Sequence, residues 1–529
     1  MAAGDTGVLI DTDIPPSWLA AAVKGAGFDG VIDVVPGART VLVLTSPGSR
    51  SPDELAARIA GLPVTEPPAG PRDIIEIPVV YDGPDLADVA SLAGLVAGEV
   101  IERHAAALYT VGWLGFAPGF GYLTGLDQRL AAVPRLASPR PSVPAGSVAI
   151  AAGLTAVYPS ASPGGWRLIG RTTARMWDPY REPAALLAPG QRVRFRPIEP
   201  GSAATDSPSV TSPADERAGR APPPVRRIEV RRTGPLASVQ DLGRPGFGAS
   251  GVPPSGAADR VSLIAGNRLA GNDDGAAGIE LTLGRAAFTC FGELTVAVTG
   301  APAEVTLTES PQGRHRPAPF GESFAVPDGG LVAIGAPAAG LRTYVAVGGG
   351  LAVPAQLGSR SADLLAGLGG GPLQAGAILP VGQAGSPAPV ALAGARGVAG
   401  LEVPRAGTAV PGRGEIARLR VVAGPRLDWF GPRAMDVLCG SLYTVTAQSN
   451  RTGMRLDGPP LPPREAELPS EGLVTGSLQV PGNGLPILLL ADHHTVGGYP
   501  VIAVVASADL GLAAQLRPGS QISFARAGT

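Results

Sequence analysis

GWLGFAPGFGYL (Gly112–Leu123), SPRPSVPAGSVAI (Ser138–Ile150) and SPGGWRLIGRT (Ser162–Thr172) follow one another inside a single stretch of the chain. Each block breaks a strand-like run with glycine and proline. Glycine lets the backbone approach a ligand closely, and proline fixes the turn. Phe116, Phe120, Tyr122 and Trp166 are available as walls, and Arg140 and Arg171 as fixed positive charge. The pattern predicts short strands, tight turns and a ligand pocket rather than ordinary core. Pro118-Gly119 is the turn that would bring backbone closest to a ligand, and Ser147 adds a hydroxyl.

The wider composition fits that reading. The chain has 529 residues, so several domains are expected, and its 75 Gly and 56 Pro without a collagen repeat point to turn-rich β architecture. A formal net charge of −2 gives no electrostatic case for nucleic acid or an anionic membrane. Cys290 and Cys439 stand in no metal or CxxC spacing and read as small buried apolar residues. No metal site is expected. The N-terminus lacks the basic and apolar regions of a secretory signal, and no apolar run nears the length of a membrane span. A soluble, cytoplasmic protein is the expectation.

Residues 199–225 contain almost no large apolar side chain and read as a flexible linker. Before it, Thr40–Leu44 reads as a buried strand. Ser51-Pro52-Asp53-Glu54 opens a helix with a capping box, so residues 1–75 form a small α/β unit. Over 76–198, helices across Leu86–Leu108 are followed by short strands and turns, with the alternating run Val193–Arg196 as a closing strand, a pattern that favours a barrel or a sandwich. After the linker, Ile228–Arg231 opens a β-rich domain over 226–400, in which Asp259 caps a helix ending at Gly271. A second β-rich block covers 401–529.

Several local patterns have two readings. Gly246–Gly251 (GFGASG) fits GxGxxG, but Pro253 and Pro254 follow at once and leave no helix N-terminus for a pyrophosphate; a tight loop is expected. Lys24 is the only lysine, so the chain holds no Walker A loop and no plausible biotin-accepting lysine. The Asp492-His493-His494 cluster offers a base. Adjacent histidines in a strand would face opposite ways, which argues against a shared metal. His104, on the helical face of Ile101 and Leu108, reads as a hydrogen-bonded boundary histidine. Gln448, Asn450, Arg451 and Arg455 form a polar cluster suited to an amide and a carboxylate, with Gln448 and Asn450 on one face of a strand. The competing reading is a turn held by Asn450 beside solvated arginines. Asp241 and Arg244 read as an ion pair.

The three opening blocks resemble the signature blocks of the 5-oxoprolinase B component, a family also called allophanate hydrolase subunit 1 and Kip-type kinase inhibitor. Gly121 stands where that family more often has proline. After the linker, VQDLGR (Val239–Arg244), GNRLAGN (Gly266–Asn272), LGSR (Leu357–Arg360), AQSNRTGMRLDGPPL (Ala447–Leu461) and ADHHTVGGYP (Ala491–Pro500) resemble the 5-oxoprolinase C component, or allophanate hydrolase subunit 2. His493, His494 and Val496 depart from that family's usual residues. The resemblance implies a mainly β protein with α+β parts: cyclophilin-like β-barrels in both halves and a small N-terminal α/β domain.

It also implies ATP-dependent opening of 5-oxoproline to glutamate, with the LamB/YcsF-type A component of 5-oxoprolinase as partner. ATP would sit mainly on that component or at a composite site, and a homo-oligomer is left open. A lactam carbon is a poor electrophile, and phosphorylation of its oxygen would open it to water. Arg451, Asp492 and His493 are the catalytic candidates. Gln479 and Tyr499 join Gln448, Asn450 and Arg455 as substrate-binding candidates, beside Phe116, Pro118, Gly119, Phe120, Tyr122, Arg140, Ser147, Trp166 and Arg171. The alternatives are a biotin-dependent carboxyltransferase of the urea-carboxylase kind, although urea amidolyase carries its modules in the opposite order, and a non-enzymatic regulator of a histidine kinase.

Overall fold

The computed structural model describes residues 1–527 apart from 47, 50, 67–73, 201–224, 310–312, 384–409 and 413. The expected linker therefore lies almost wholly outside the described residues, as does most of the boundary near residue 400.

The N-terminal unit is a three-stranded antiparallel sheet. The strand Thr40–Thr45 lies between Gly7–Asp11 and Val31–Pro36. Being central, it is buried along nearly its whole length, which is why it reads as an unbroken apolar run. Helix Pro52–Ala60 begins as its sequence dictates: Ser51 Oγ accepts from the Glu54 amide at 3.2 Å, and Pro52 fills the first turn. Leu55 and Ile59 of that helix, with Leu19 and Val23 of Pro16–Ala26, cover one face of the sheet.

Seven strands then form a nearly closed barrel, in the order Arg167–Arg171, Ser147–Ala151, Leu154–Val157, Gly121–Thr124, Tyr109–Leu114, Arg192–Pro197, Ile75–Val79. Val80 and Arg171 exchange two backbone hydrogen bonds of 2.9 Å and complete the circle. Val193 and Phe195 point inward from the alternating strand, while Arg194 and Arg196 face out. Helices Leu86–Ala93 and Ala97–Ala106 close one end. His104 is fully buried there, hydrogen-bonded to Tyr81 (2.7 Å) and Thr155 (2.9 Å) and stacked on Phe195. Burial lowers its pKa to about 3, so it is a neutral structural group.

In the second half a six-stranded and a five-stranded antiparallel sheet share one core that includes Val230, Phe288, Leu281 and Val345. Helix Arg260–Leu269 lies on the five-stranded sheet, its first turn capped by the Asp259 carboxylate on the Ser262 amide at 3.1 Å. A closed barrel follows, with strands ordered Ala417–Ala423, Val501–Val505, Ser477–Gln479, Ile487–Leu489, Gly453–Asp457, Leu442–Val445 and Gln521–Arg526. Both halves thus contain the expected β-barrel.

The halves are fused through their interiors. Leu9 and Leu42 of the N-terminal unit, Trp113, Phe120 and Tyr122 of the first barrel, and Leu473, Val496 and Val504 of the second pack in one buried cluster. At about 1.5–3 kcal/mol for each large apolar side chain removed from water, this shared core fixes the barrels against each other.

Candidate active site at the junction of the halves

The strand Tyr109–Leu114 ends in the glycine-proline loop, which turns directly into the second half. Phe116 and Gly119 both have positive φ (64° and 75°), so the loop doubles back within a few residues. The Gly119 amide donates to the Ser250 carbonyl at 3.0 Å. A Cβ on Gly115 would stand 2.1 Å from Val496 Cγ2, so the close approach requires glycine. The Phe116 carbonyl accepts from His494 Nδ1 at 2.7 Å, and the two rings stack at 5.4 Å. Phe116 contacts Phe120, which touches Tyr122, Tyr158 and Trp166 edge-on. The aromatic walls are therefore one continuous cluster, and it ends on the turn that carries His494.

Beneath this turn lies a buried charge network. Arg451 is 4% exposed and makes four hydrogen bonds: Nε to Asp492 Oδ2 (2.8 Å), Nη2 to Asp492 Oδ1 (2.9 Å), Nη2 to the Gly256 carbonyl (2.6 Å) and Nη1 to Glu280 Oε1 (2.5 Å). Glu280 also accepts from Tyr344 (2.7 Å) and the Ala258 amide (3.0 Å). Burial alone would raise the Glu280 carboxyl, but Arg451 and Arg342 outweigh it and hold it below its ordinary value. The expected role of Arg451 as holder of a substrate anion does not fit. Its fork is filled by two carboxylates of its own chain, and it ties the second barrel to the sandwich domain.

The histidines also differ from expectation. Residues 491–495 form a turn, not a strand. His493 Nδ1 donates to the His494 carbonyl (2.7 Å), and Nε2 accepts from Thr475 Oγ1 (3.1 Å). Burial lowers its pKa to about 4. Both ring nitrogens are engaged, so His493 does not present a free base. Asp492 accepts from Ser255 Oγ at 2.6 Å as well as from Arg451. Ser255 has φ 51°, a conformation a side-chain-bearing residue holds only under surrounding constraint.

Asp241 and Arg244 do not pair with each other. Asp241 accepts from Ser359 Oγ (2.6 Å), Ser361 Oγ (2.5 Å), and the amides of Gly243 (2.8 Å) and Arg360 (2.7 Å). Arg244 Nη2 donates to the Ser361 carbonyl. Both residues of the QDLGR run clamp the GSRS run.

The remaining candidates fall elsewhere. Arg140 is paired with Asp85 (2.6 Å), and Arg171 with Asp82 (2.9 Å) on the exposed barrel seam. Neither is a free cation facing the aromatic cluster. Ser147 is buried in its strand. Gln448 and Asn450 stand in a turn rather than a strand, and Asn450 Oδ1 accepts from the amides of Thr452 (2.8 Å) and Gly453 (3.2 Å). Alternation there was misread because a turn also exposes every second residue. Gln448 and Arg455, with Asn483 and Ile487, line an open hollow of about 370 Å³. Gln479 is buried and donates to the carbonyl of the half-exposed Tyr499 at 3.1 Å.

Sequence reasoning missed Glu280, Ser255 and Asp363. A carboxylate inside the apolar strand Gly278–Thr282 was the available signal for Glu280, because buried acids are kept only with partners.

Among the described residues no group of three or more His, Cys, Asp or Glu is placed to hold a metal, and no helix is long and apolar enough to cross a membrane. The Gly246–Gly251 loop does not fit a nucleotide phosphate either. Its Gly248 amide donates to the Asp33 carboxylate (2.8 Å), and those of Ser250 and Gly251 donate to carbonyls within the loop.

Residues 13–187 match the family model for carboxyltransferase domain subdomains C and D, and residues 250–526 match that for subdomains A and B. The chain is 35% identical over 303 residues to the 5-oxoprolinase C component of Escherichia coli K12, covering 90% of that protein and 56% of this chain. It is 40% identical over 209 residues to the 5-oxoprolinase B component of Escherichia coli O157:H7, covering 95% of that protein and 37% of this chain. The crystal structure of TTHA0988 superposes with a TM-score of 0.80 at 34% identity, over 98% of this chain and 99% of that one. The chain belongs to the carboxyltransferase-domain family of the 5-oxoprolinase B and C components, and carries both in one polypeptide.

Proposed function

We propose that this chain supplies the B and C components of an ATP-dependent 5-oxoprolinase, opening 5-oxoproline to glutamate together with a LamB/YcsF-type A component. The observation that carries the reading is the meeting of the two halves on one junction: Gly115–Gly121, from a B-like signature block, packs on the loop at Ser250 and on 494–496 of the C-like block Ala491–Pro500. Separate sites in the two halves would not need such a seam. The chain's part is to bind and orient the lactam, exclude water and polarise its carbonyl through backbone N–H groups and arginine. ATP supplies the driving force when bound. The amides of the Gly246–Gly251 loop are taken by protein acceptors, which supports placing ATP mainly on the LamB/YcsF-type component or at a composite site. The single lysine, Lys24, stands in a plain helical context and leaves no carrier residue for covalent biotin.

The test is ATP hydrolysis by a mixture of this chain and the LamB/YcsF-type component. Stimulation by 5-oxoproline and not by urea supports the reading. Stimulation by urea with biotin and bicarbonate turns it toward the carboxyltransferase alternative.

A further inference from the structure

Behind the junction, the strand end 240–244 and the segment 361–363 carry buried polar atoms without a partner among the described residues. Arg244, Gln240 and Asp363 are all fully buried. Arg244 spends one nitrogen on the Ser361 carbonyl, while Nε and Nη1 have no partner among the described residues. Asp363 Oδ1 accepts from the amides of Leu365 (3.0 Å) and Ala366 (2.9 Å), whereas Oδ2 is unpartnered among the described residues. Gln240 Oε1 is likewise unpartnered. Asp363 is the foremost carboxylate acting on Arg244, ahead of Asp241 and Asp492, yet no hydrogen bond or ion pair joins the two. Buried donors and acceptors left open in this way each cost free energy unless something fills them.

The open atoms are of two kinds. Arg244 presents N–H donors, and Asp363 Oδ2, with Gln240 Oε1, presents acceptors. We infer that this guanidinium–carboxylate pair is a recognition site for a cis-amide edge, the adjacent N–H and C=O that a lactam or a cyclic ureide presents on one side of its ring. The C=O accepts from Arg244, and the N–H donates to Asp363. Charged groups make the stronger hydrogen bonds, and burial strengthens them further. Burial, and then the charge of Asp492, raise the Asp363 carboxyl to about 6, consistent with a carboxylate held without a protein donor on one oxygen. The segment that follows Asp363 lies at the surface. Leu364 and Leu365 are 39% and 41% exposed, and a Cβ on Gly367, Gly370 or Gly371 would touch nothing.

The inference rests on the proposed 5-oxoprolinase reading only for the choice between the two ring types, and the experiment separates them. Binding of three probes to the full chain is measured by calorimetry: 5-oxoproline, its N-methyl derivative and biotin. The expected result is binding of 5-oxoproline, at least about tenfold weaker binding of the N-methyl derivative, and a similar loss of 5-oxoproline affinity in Asp363→Asn. Melting of Asp363→Asn is followed in parallel. Should that variant not fold, the comparison of 5-oxoproline with its N-methyl derivative on the parent decides alone. Binding of biotin in place of 5-oxoproline, with the same dependence on Asp363, upholds the site and counts against the oxoprolinase reading. Equal affinity for 5-oxoproline and its N-methyl derivative, undiminished affinity in a folded Asp363→Asn, or no binding of any probe overturns the inference. ATP-dependent glutamate formation by the parent with the LamB/YcsF-type component would still stand in those cases.

Discussion

His494 Nδ1 lies 2.7 Å from the carbonyl oxygen of Phe116, and the two rings stack at 5.4 Å, although 378 residues separate them in the chain. The contact pins the glycine-proline loop of the first barrel to the second barrel. His494→Ala removes the donor and the stacked ring and leaves a partly buried carbonyl open. The expected loss is about 1–3 kcal/mol, read as a lower melting temperature. His494→Asn, whose amide can reach the same carbonyl, should recover part of it. Unchanged melting in His494→Ala would mean that the junction is held by the surrounding core alone.

Gly115→Ala places its methyl group 2.1 Å from Val496 Cγ2. Overpacking of this kind costs about 1–3 kcal/mol. Val496→Ala removes the opposing atoms, so the double variant should melt above Gly115→Ala alone. Additive losses in a double-mutant cycle would show that the two residues do not meet.

Arg451 holds Glu280 and Asp492 together in a site closed to water, so its substitution should register first as instability. Arg451→Met removes the guanidinium bonded to Asp492 and leaves Glu280 with Arg342 as its charged partner, and should cost about 3–5 kcal/mol. Arg451→Lys keeps the charge without the planar fork and should fall between Met and the parent. A lysine variant that melts like the parent but fails to turn over would reassign Arg451 to the substrate.

The titration of buried groups gives a signed pH dependence. His104 and His493 have pKa values lowered by burial to about 3 and about 4 from 6.5, so the unfolded chain takes up protons first and stability is lost as pH falls below 6.5. Glu471 runs the other way. Burial raises it to about 7 from 4.5 despite its contact with Arg426, so the folded state gains stability as pH falls from about 7 toward 4.5. Glu471→Gln should therefore make the melting temperature drop more steeply with acid over that range. An identical slope in the variant would mean that Glu471 stays ionised in the fold.

Local chemistry was legible from the residues themselves. The Ser51 cap, the Asp259 cap, the central apolar strand Thr40–Thr45 and the alternating strand at Val193–Phe195 each follow from short-range rules and stand where those rules put them. The partners of the charged candidates were not legible. Arg451 meets Glu280 across 171 residues, and Ser255 meets Asp492 across 237, and nothing in the spacing of a single chain specifies such pairs. The polar cluster 448–455 was misplaced for a related reason: a turn and an exposed strand edge share the same alternation of polar side chains. The role of the glycine-proline loop was half legible. Its residues announced a close approach of backbone, but what approaches is the chain's own second half.

The most direct measurement is glutamate formation from 5-oxoproline with ATP, assayed for this chain alone, for a LamB/YcsF-type component alone, and for the two mixed. The account predicts glutamate from the mixture only, dependent on ATP, and suppressed in Gly115→Ala and His494→Ala under conditions where both remain folded. Robust turnover by this chain alone, or none from the mixture, would contradict it.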